Sequence, residues 1–254
     1  MYLDIFVGVD GTGPYSDKDY ETAFANSFVR QLSNLPRFRV KEYIRGPGTD
    51  GLSTGSLAKK AAYAAEFCYK VAPDSLKPRI FLSGYSRGGA AALEAAHILR
   101  GKQINVHGLL LFDAVDRSAT ISNTVVPDNV GISRHAVRNS STESRNWFGN
   151  CGTSYAVGMD ATTAKFYTTH GAMGGTPWGD KQTIDGKINE GNSSMRTALK
   201  VASYAIPAMT LVGKIVDYGF QTNVKPSDES AGSQAVWKWM SAELTAMFQK
   251  PPKA

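Results

Sequence analysis

The chain has 254 residues, of which 42% are hydrophobic and 20% charged, and it carries a formal net charge of +6. These proportions are ordinary for a soluble globular protein. The basic residues are spread out without a run of five or six, so nucleic-acid binding is not expected. The two cysteines, Cys68 and Cys151, make neither a disulfide framework nor a zinc site, and nothing in the sequence calls for a metal or a cofactor.

Two segments bear on membranes and export. The first seven residues, MYLDIFV, lack a basic region followed by an apolar one, so we expect no signal peptide. The most apolar later stretch, about 198–220, contains Lys200, Pro207, Lys214 and Asp217, which argues against a membrane span. We therefore expect a protein made in the cytoplasm, which would need a route other than a cleaved signal to act outside its cell.

Strand and helix patterns alternate through the first 112 residues. The predicted strands cover 3–9, 38–44, 79–83 and 105–112, and the predicted helices cover about 20–35, 57–71 and 89–99. This alternation predicts an α/β fold with a mostly parallel sheet and helices on both of its faces. In such a sheet the functional site lies beyond the carboxyl ends of the strands.

The second half of the chain has a looser pattern. Residues 117–195 are rich in Gly, Ser, Thr and Asn, with short apolar runs at 130–132 and 165–168, and helices are predicted at about 194–218 and 233–248. We treat residues 1–254 as a single domain, with a core of about 1–180 and a helical C-terminal segment of about 190–250. The apolar helix at about 199–218 is either a lid or interfacial helix that admits acyl chains, or an ordinary helix packed on the sheet.

The most informative motif is the pentapeptide Gly84–Gly88, G-Y-S-R-G, which stands between an apolar strand and a helix of small residues. A sharp strand-to-helix turn at a serine is the nucleophile elbow of α/β-hydrolases. Such a turn is strained, which favours glycine beside the serine, and the following helix N-terminus favours developing negative charge. The motif therefore predicts Ser86 as a nucleophile.

A serine nucleophile needs a base, and in hydrolases of this kind the base is a histidine late in the chain. His97 lies in a predicted helix and His107 in a predicted strand, so we interpret both as scaffold. His170 follows a strand-like segment and begins a loop of small residues, which favours it over His135 as the base. His135 stays open as the alternative.

The base in turn needs an orienting acid. Asp113 ends the predicted strand 105–112, which places its carboxylate at the same sheet edge as Ser86. Asp116 is the alternative acid. The oxyanion would lie on the amide of Arg87, the residue after the nucleophile, and on the amide of Gly11 or Thr12 in the loop after the first strand.

Four sequence features in order carry a family resemblance: V-D-G-T-G at 9–13, Y-I-R-G-P-G-T at 43–49, G-Y-S-R-G at 84–88 and F-D-A-V at 112–115. A weaker fifth, H-G-A-M-G-G at 170–175, follows them. Together they resemble the DUF2235 group of α/β-hydrolases, which includes the Tle1-type phospholipase effectors of type VI secretion. The resemblance covers about residues 3–180.

This resemblance implies a Ser86–Asp113–His170 triad and hydrolysis of lipid carboxylic esters, with phospholipids as the substrate class. It also implies contact with a membrane surface, export by a dedicated secretion system and an immunity or secretion partner protein. Two other functions stay open: a soluble carboxylesterase that acts on small esters, and a catalytically silent binding module.

Overall fold

A computed structural model describes residues 1–48, 53–115, 124–146, 148–179, 183–191 and 220–253. Its centre is a six-stranded sheet in which every neighbouring pair of strands is parallel. The strands of the whole described chain are β1 (Tyr2–Val9), β2 (Val40–Ile44), β3 (Lys77–Tyr85), β4 (Val106–Phe112), β5 (Val125–Val126), β6 (Val130–Arg138), β7 (Ser154–Tyr155), β8 (Asp160–Phe166), β9 (Thr183–Ile184) and β10 (Lys187–Ile188). The central sheet has the order β2-β1-β3-β4-β6-β8.

Helices cover both faces of this sheet. They are α1 (Asp17–Ala23), α2 (Phe28–Ser33), α3 (Thr54–Lys70), α4 (Arg87–Gly101), α5 (His170–Met173) and α6 (Pro226–Gln249), with a 3₁₀ turn at Ser140–Thr142. One hydrophobic cluster joins α3 and α4 to the sheet, and the other joins α1, α2, α5 and α6 to the opposite face. The fold class predicted from the sequence is therefore confirmed.

Alternation along each strand assigns its side chains to the two clusters. Phe6 faces the cluster of α1, α2 and α6, whereas Val7 faces α3 and α4; Leu110 and Leu111 divide in the same way. Successive side chains of a strand point to opposite faces, so a strand buried on both faces must be apolar at every position. The central strand β4 is buried along its whole length.

A segment predicted as one helix forms two helices in the structure. The segment 20–35 forms α1 and α2, separated by a turn at Ser27. The Ser27 side chain caps α2 by accepting a hydrogen bond from the Arg30 amide, and its hydroxyl also donates to Asp10. This serine therefore begins a new helix where hydrophobic periodicity alone predicts continuity.

Two strands of the sheet lie in the segment that the sequence pattern leaves irregular. The apolar run at 130–132 begins β6, and the run at 165–168 overlaps the last two residues of β8; both strands extend the sheet on the β4 side. Of the predicted C-terminal helices, 194–218 lies outside the described residues. The other is α6, which begins at Pro226 and packs its apolar side on the sheet as part of the core.

A short antiparallel stem closes the chain on either side of residues 192–219. Asn189 and Gln221 form an antiparallel bridge, and the Glu190 amide donates to the Phe220 carbonyl at 2.9 Å. The Thr222 amide donates to the Ile188 carbonyl at 3.0 Å. The two ends that border residues 192–219 are therefore held side by side.

Candidate active site

Ser86 lies at the sharp turn between β3 and α4, with φ 55° and ψ −128°. A non-glycine residue with positive φ is strained, and the neighbouring glycines make the turn possible. A Cβ on Gly84 would lie 2.3 Å from the Gly88 carbonyl oxygen, and a Cβ on Gly88 would lie 2.1 Å from the Asp10 carbonyl oxygen. The turn is thus a nucleophile elbow in its backbone as well as in its sequence.

His170 and Asp113 meet Ser86 at the carboxyl edge of the sheet. His170 Nε2 lies 2.9 Å from Ser86 Oγ, and His170 Nδ1 lies 2.6 Å from Asp113 Oδ2. All three side chains are buried. Of the two candidate histidines, the structure brings His170 to the serine.

His135 has a different place. It lies within β6, where Nε2 accepts a hydrogen bond from the Ala114 amide at 3.0 Å and Nδ1 lies 3.2 Å from the Gly152 carbonyl oxygen. Burial lowers the pKa of His135 to about 4, because the charged form loses its hydration. Both ring nitrogens are therefore engaged with backbone, and the residue supports the segment that follows Asp113. The alternative acid, Asp116, lies outside the described residues.

Asp113 is held as an anion. Burial alone raises the pKa of a carboxyl group, but the hydrogen bond and charge of His170 and the guanidinium of Arg138 more than offset this, so the pKa of Asp113 lies well below its usual range. Arg138 Nη1 donates to Oδ2 at 2.7 Å, and Asn150 Nδ2 donates to Oδ1 at 2.8 Å.

His170 is held by its backbone as well as by its ring. Its amide donates to Ser144 Oγ at 2.7 Å, and the Ser144 hydroxyl is in turn 2.9 Å from each carboxylate oxygen of Glu190. Thr169 caps the short helix α5 and donates to the buried Glu229 of α6 at 2.5 Å. The Tyr85 hydroxyl donates to the His170 carbonyl at 2.9 Å.

The loop after β1 lies against the nucleophile. Gly11 is close to the Ser86 side chain, since a Cβ at Gly11 would be 3.4 Å from the serine Cβ. The Gly11 amide, one of two donors expected from this loop, donates to Asp10 Oδ1 at 2.9 Å. Thr12 is the other residue of this loop whose amide was expected as an oxyanion donor. Its hydroxyl accepts a 3.5 Å hydrogen bond from the Arg87 side chain. The Gly11 amide is therefore engaged within its own loop, and the Thr12 side chain lies next to that of Arg87.

Sequence reasoning missed six residues that support this site: Arg138, Ser144, Asn150, Thr169, Glu190 and Glu229. The sequence does contain an indication that Arg138 has a structural partner. Arg138 is the second of two arginines in the segment 130–138, four positions after Arg134, in a run that otherwise alternates as a strand. A charged side chain on the buried face of a strand requires an opposite charge nearby, and Asp113 was the acid predicted at the carboxyl end of the strand 105–112.

The fold and this constellation together define an α/β-hydrolase architecture with a Ser–His–Asp arrangement at the elbow. No family model and no curated protein matched the chain. Among solved structures, it is similar to an uncharacterized protein from Pseudomonas aeruginosa (15% identity, 94% of this chain and 51% of that one, TM-score 0.46). It is also similar to a Tle1 effector bound to the VgrG spike of the type 6 secretion system (12%, 81% and 60%, TM-score 0.37).

A type II thioesterase of the yersiniabactin NRPS/PKS pathway is a further match, at 21% identity over 45% of this chain and 43% of that one, with a TM-score of 0.32. The chain thus spans between 43% and 60% of the length of these three structures. At TM-scores below 0.5 the matches carry no argument about chemistry.

Within the described residues, no helix is long and apolar enough to cross a membrane. In the same part of the chain, no group of three or more His, Cys, Asp or Glu side chains is arranged to hold a metal ion.

Proposed function

We propose that the protein is a serine hydrolase that cleaves carboxylic esters of lipids through an acyl-enzyme. The observation that carries this proposal is the continuous hydrogen-bonded chain from Ser86 through His170 to Asp113 at a strained elbow. These are the distances that a nucleophile, a general base and its orienting acid require.

In the first half of the reaction, Ser86 Oγ attacks the ester carbonyl carbon while His170 Nε2 takes the hydroxyl proton. The carbonyl oxygen becomes an oxyanion that accepts hydrogen bonds from the Arg87 and Thr12 amides, and the positive end of the α4 dipole stabilises it further. The carbon–oxygen ester bond then breaks, and His170 returns its proton to the departing alkoxide. The product is an alcohol and an acyl group on Ser86.

In the second half, water attacks the acyl carbon and gives its proton to His170. The acyl–serine bond breaks, the fatty acid leaves and His170 returns the proton to Ser86 Oγ. Asp113 stays ionised throughout and stabilises the imidazolium each time it forms.

Lipid esters are supported as the substrate class by the sequence features shared in order with the DUF2235 group, and by the +6 charge, which complements anionic phospholipid surfaces. The same resemblance supports delivery by a dedicated secretion system and an immunity partner. We include both in the proposal.

The test is release of fatty acid and lysolipid from mixed phospholipid vesicles by the wild type, Ser86→Ala and Ser83→Ala. Ser83 is a matched control because it is a buried serine of β3, three residues before Ser86, and its hydroxyl has no hydrogen-bond partner among the described residues. We expect release by the wild type and Ser83→Ala and none by Ser86→Ala.

Other outcomes decide between the alternatives. No release from vesicles, with short nitrophenyl esters still cleaved in a Ser86-dependent way, would identify a soluble carboxylesterase. If the folded wild type cleaves neither class of ester, the protein is a binding module and the proposal is wrong.

A further inference from the structure

Arg138 occupies an unusual position at the carboxyl end of β6. Its side chain is only 6% exposed, although arginine is rarely buried unless it is paired. The guanidinium donates to Asp113 Oδ2 at 2.7 Å, to the Ser144 carbonyl at 2.7 Å, to the Arg145 carbonyl at 2.9 Å and to the Phe148 carbonyl at 2.5 Å. It therefore joins the acid of the site to the loop at residues 144–146 and 148.

That loop is itself in contact with the base. Ser144 Oγ accepts the His170 amide hydrogen bond, and the Phe148 ring meets the His170 ring edge-on with the centroids 6.0 Å apart. The Arg138 guanidinium thus positions His170 in two ways: through Asp113, which binds the imidazole, and through Ser144, which binds the His170 amide.

The electrostatic consequence is specific to one oxygen atom. Asp113 Oδ2 accepts from His170 Nδ1 at 2.6 Å and from Arg138 Nη1 at 2.7 Å. Asp113 stabilises an imidazolium through this oxygen, so a cation on the same atom weakens that stabilisation. A triad does not need such a cation in order to turn over, and its presence requires an explanation.

We propose that Arg138 is a positioning residue of the hydrolase proposed above, on whose activity this inference rests. It clamps Asp113 and the loop at residues 144–146 and 148 in register with His170, and its charge keeps the resting imidazole neutral and ready to accept the serine proton.

The other charged and titratable groups around His170 are consistent with this role. Burial lowers the pKa of His170, the hydrogen bond to Asp113 opposes that effect, and the charges of Arg145 and Arg138 lower the pKa further, so it lies below its ordinary value. Tyr85 contacts His170 directly, through a hydrogen bond to its carbonyl and with ring centroids 5.2 Å apart. Glu190 acts through Ser144, Glu229 through Thr169, and His135 lies beyond Asp113.

The first experiment measures kcat/KM against pH on a short nitrophenyl ester for the wild type and Arg138→Gln. Removing the cation lets Asp113 stabilise the imidazolium more strongly, so the pKa of His170 rises. We expect the acid limb of the profile to move to higher pH by about one unit.

Arg134→Gln is the matched control. Arg134 is on the same strand, is equally buried and forms ion pairs with Asp160 and Glu243, away from the triad. It should lose comparable thermal stability and leave the acid limb in place. If folded Arg138→Gln leaves the limb unmoved, or if Arg134→Gln moves it as far, the proposal is wrong.

Arg138→Lys distinguishes the effect of the positive charge from the effect of the hydrogen bonds that position Asp113 and the loop. It also tests the proposal if Arg138→Gln does not fold. Lysine keeps the charge but cannot make the four-way contact, so we expect kcat to fall at least tenfold with the acid limb unchanged. An unchanged kcat would show that Arg138 does not act by positioning Asp113 and the loop. An acid limb that moves as far as in Arg138→Gln would show that the charge of Arg138 does not control the pKa of His170.

A readout without turnover separates this inference from the proposed function. The chain has four histidines, and His170→Ala assigns the imidazole signal of His170 in NMR titrations. A raised His170 pKa in Arg138→Gln supports the inference even if no ester is cleaved. A normal ester activity with an unmoved titration refutes the inference alone.

Discussion

Ser86 and Asp113 share an uncommon backbone conformation: both have positive φ, 55° and 45°. Each such residue costs on the order of 1–3 kcal/mol and persists only where its surroundings determine it. Here the Ser86 amide donates to the Phe112 carbonyl at 3.0 Å, and the Asp113 amide donates to the Ala136 carbonyl at 2.7 Å. The two side chains are therefore aimed at His170 by backbone that the sheet itself holds.

The two candidate histidines give opposite expectations when each is replaced by alanine. His170→Ala should abolish ester hydrolysis and leave the thermal midpoint nearly unchanged, because Asp113 keeps Arg138 and Asn150 as partners. His135→Ala should lower stability by about 1–3 kcal/mol, since the buried Ala114 amide and Gly152 carbonyl lose their partner.

Activity and thermal unfolding of both variants check this expectation. If His135→Ala abolishes turnover while it remains folded, and His170→Ala does not, the assignment of the base is reversed.

At the scale of single residues, the sequence predicted those residues whose type and order along the chain are typical of a serine hydrolase. Ser86, Asp113 and His170 follow from a motif, a strand end and the order of the chain. Arg138 and Ser144 could not be predicted in the same way, because their roles depend on which carbonyls and carboxylates the folded loop at residues 144–146 and 148 presents. The engagement of the Gly11 amide by Asp10 is likewise visible only in the structure.

At the scale of elements, the elbow requires three segments to approach each other within backbone contact. Gly88 in the first turn of α4 lies against the end of β1, with no room for a Cβ beside the Asp10 carbonyl oxygen. Neither the helix nor the strand can move away cheaply, because both are fixed in the sheet and its covering layer.

Gly88→Ala should therefore prevent the elbow from forming, with loss of both activity and cooperative unfolding. The control is Gly101→Ala at the other end of the same helix, where an added Cβ would meet nothing within 4 Å. That change should be neutral or stabilise by about 0.5–1 kcal/mol, since alanine favours helix more than glycine does. Circular dichroism during thermal unfolding distinguishes the two, and a Gly88→Ala variant with wild-type stability and activity would contradict the steric argument.

The elements predicted best were those with uninterrupted apolar patterns. Strands β1, β3 and β4 and helices α3 and α4 lie where the sequence pattern put them, within a few residues. Strand β6 was not predicted, and only an apolar run at its first three residues was noted, because Arg134, His135 and Arg138 interrupt its pattern. Each of these side chains is buried with a partner that lies far away in the sequence.

At the scale of the whole molecule, Asp10 links stability to pH. It is fully buried where β1 meets α2 and β2, and it accepts hydrogen bonds from the Gly11 amide and from the hydroxyls of Ser27 and Tyr43. Burial outweighs these hydrogen bonds and raises the pKa of Asp10 to about 6.

Between about pH 4 and 6 the folded protein therefore keeps a proton on Asp10 that the unfolded chain has released. Stability falls as the pH rises through this window, by up to about 3 kcal/mol. Asp10→Asn removes this titration, so the free energy of unfolding of the wild type minus that of the variant should decrease from pH 4 to 7. Chemical denaturation at several pH values measures it, and a difference that stays constant or grows would show that Asp10 is ionised throughout.

The stem that joins Asn189 to Gln221 has an evolutionary consequence. Because the two ends bordering residues 192–219 are already clasped by hydrogen bonds, the path of the sheet does not depend on the length of chain between them. The stem itself lies close to the reacting groups, since Glu190 reaches Ser144 and, through it, His170. In evolution, the number of residues between the two ends can then change while the stem stays under constraint from the groups that it supports.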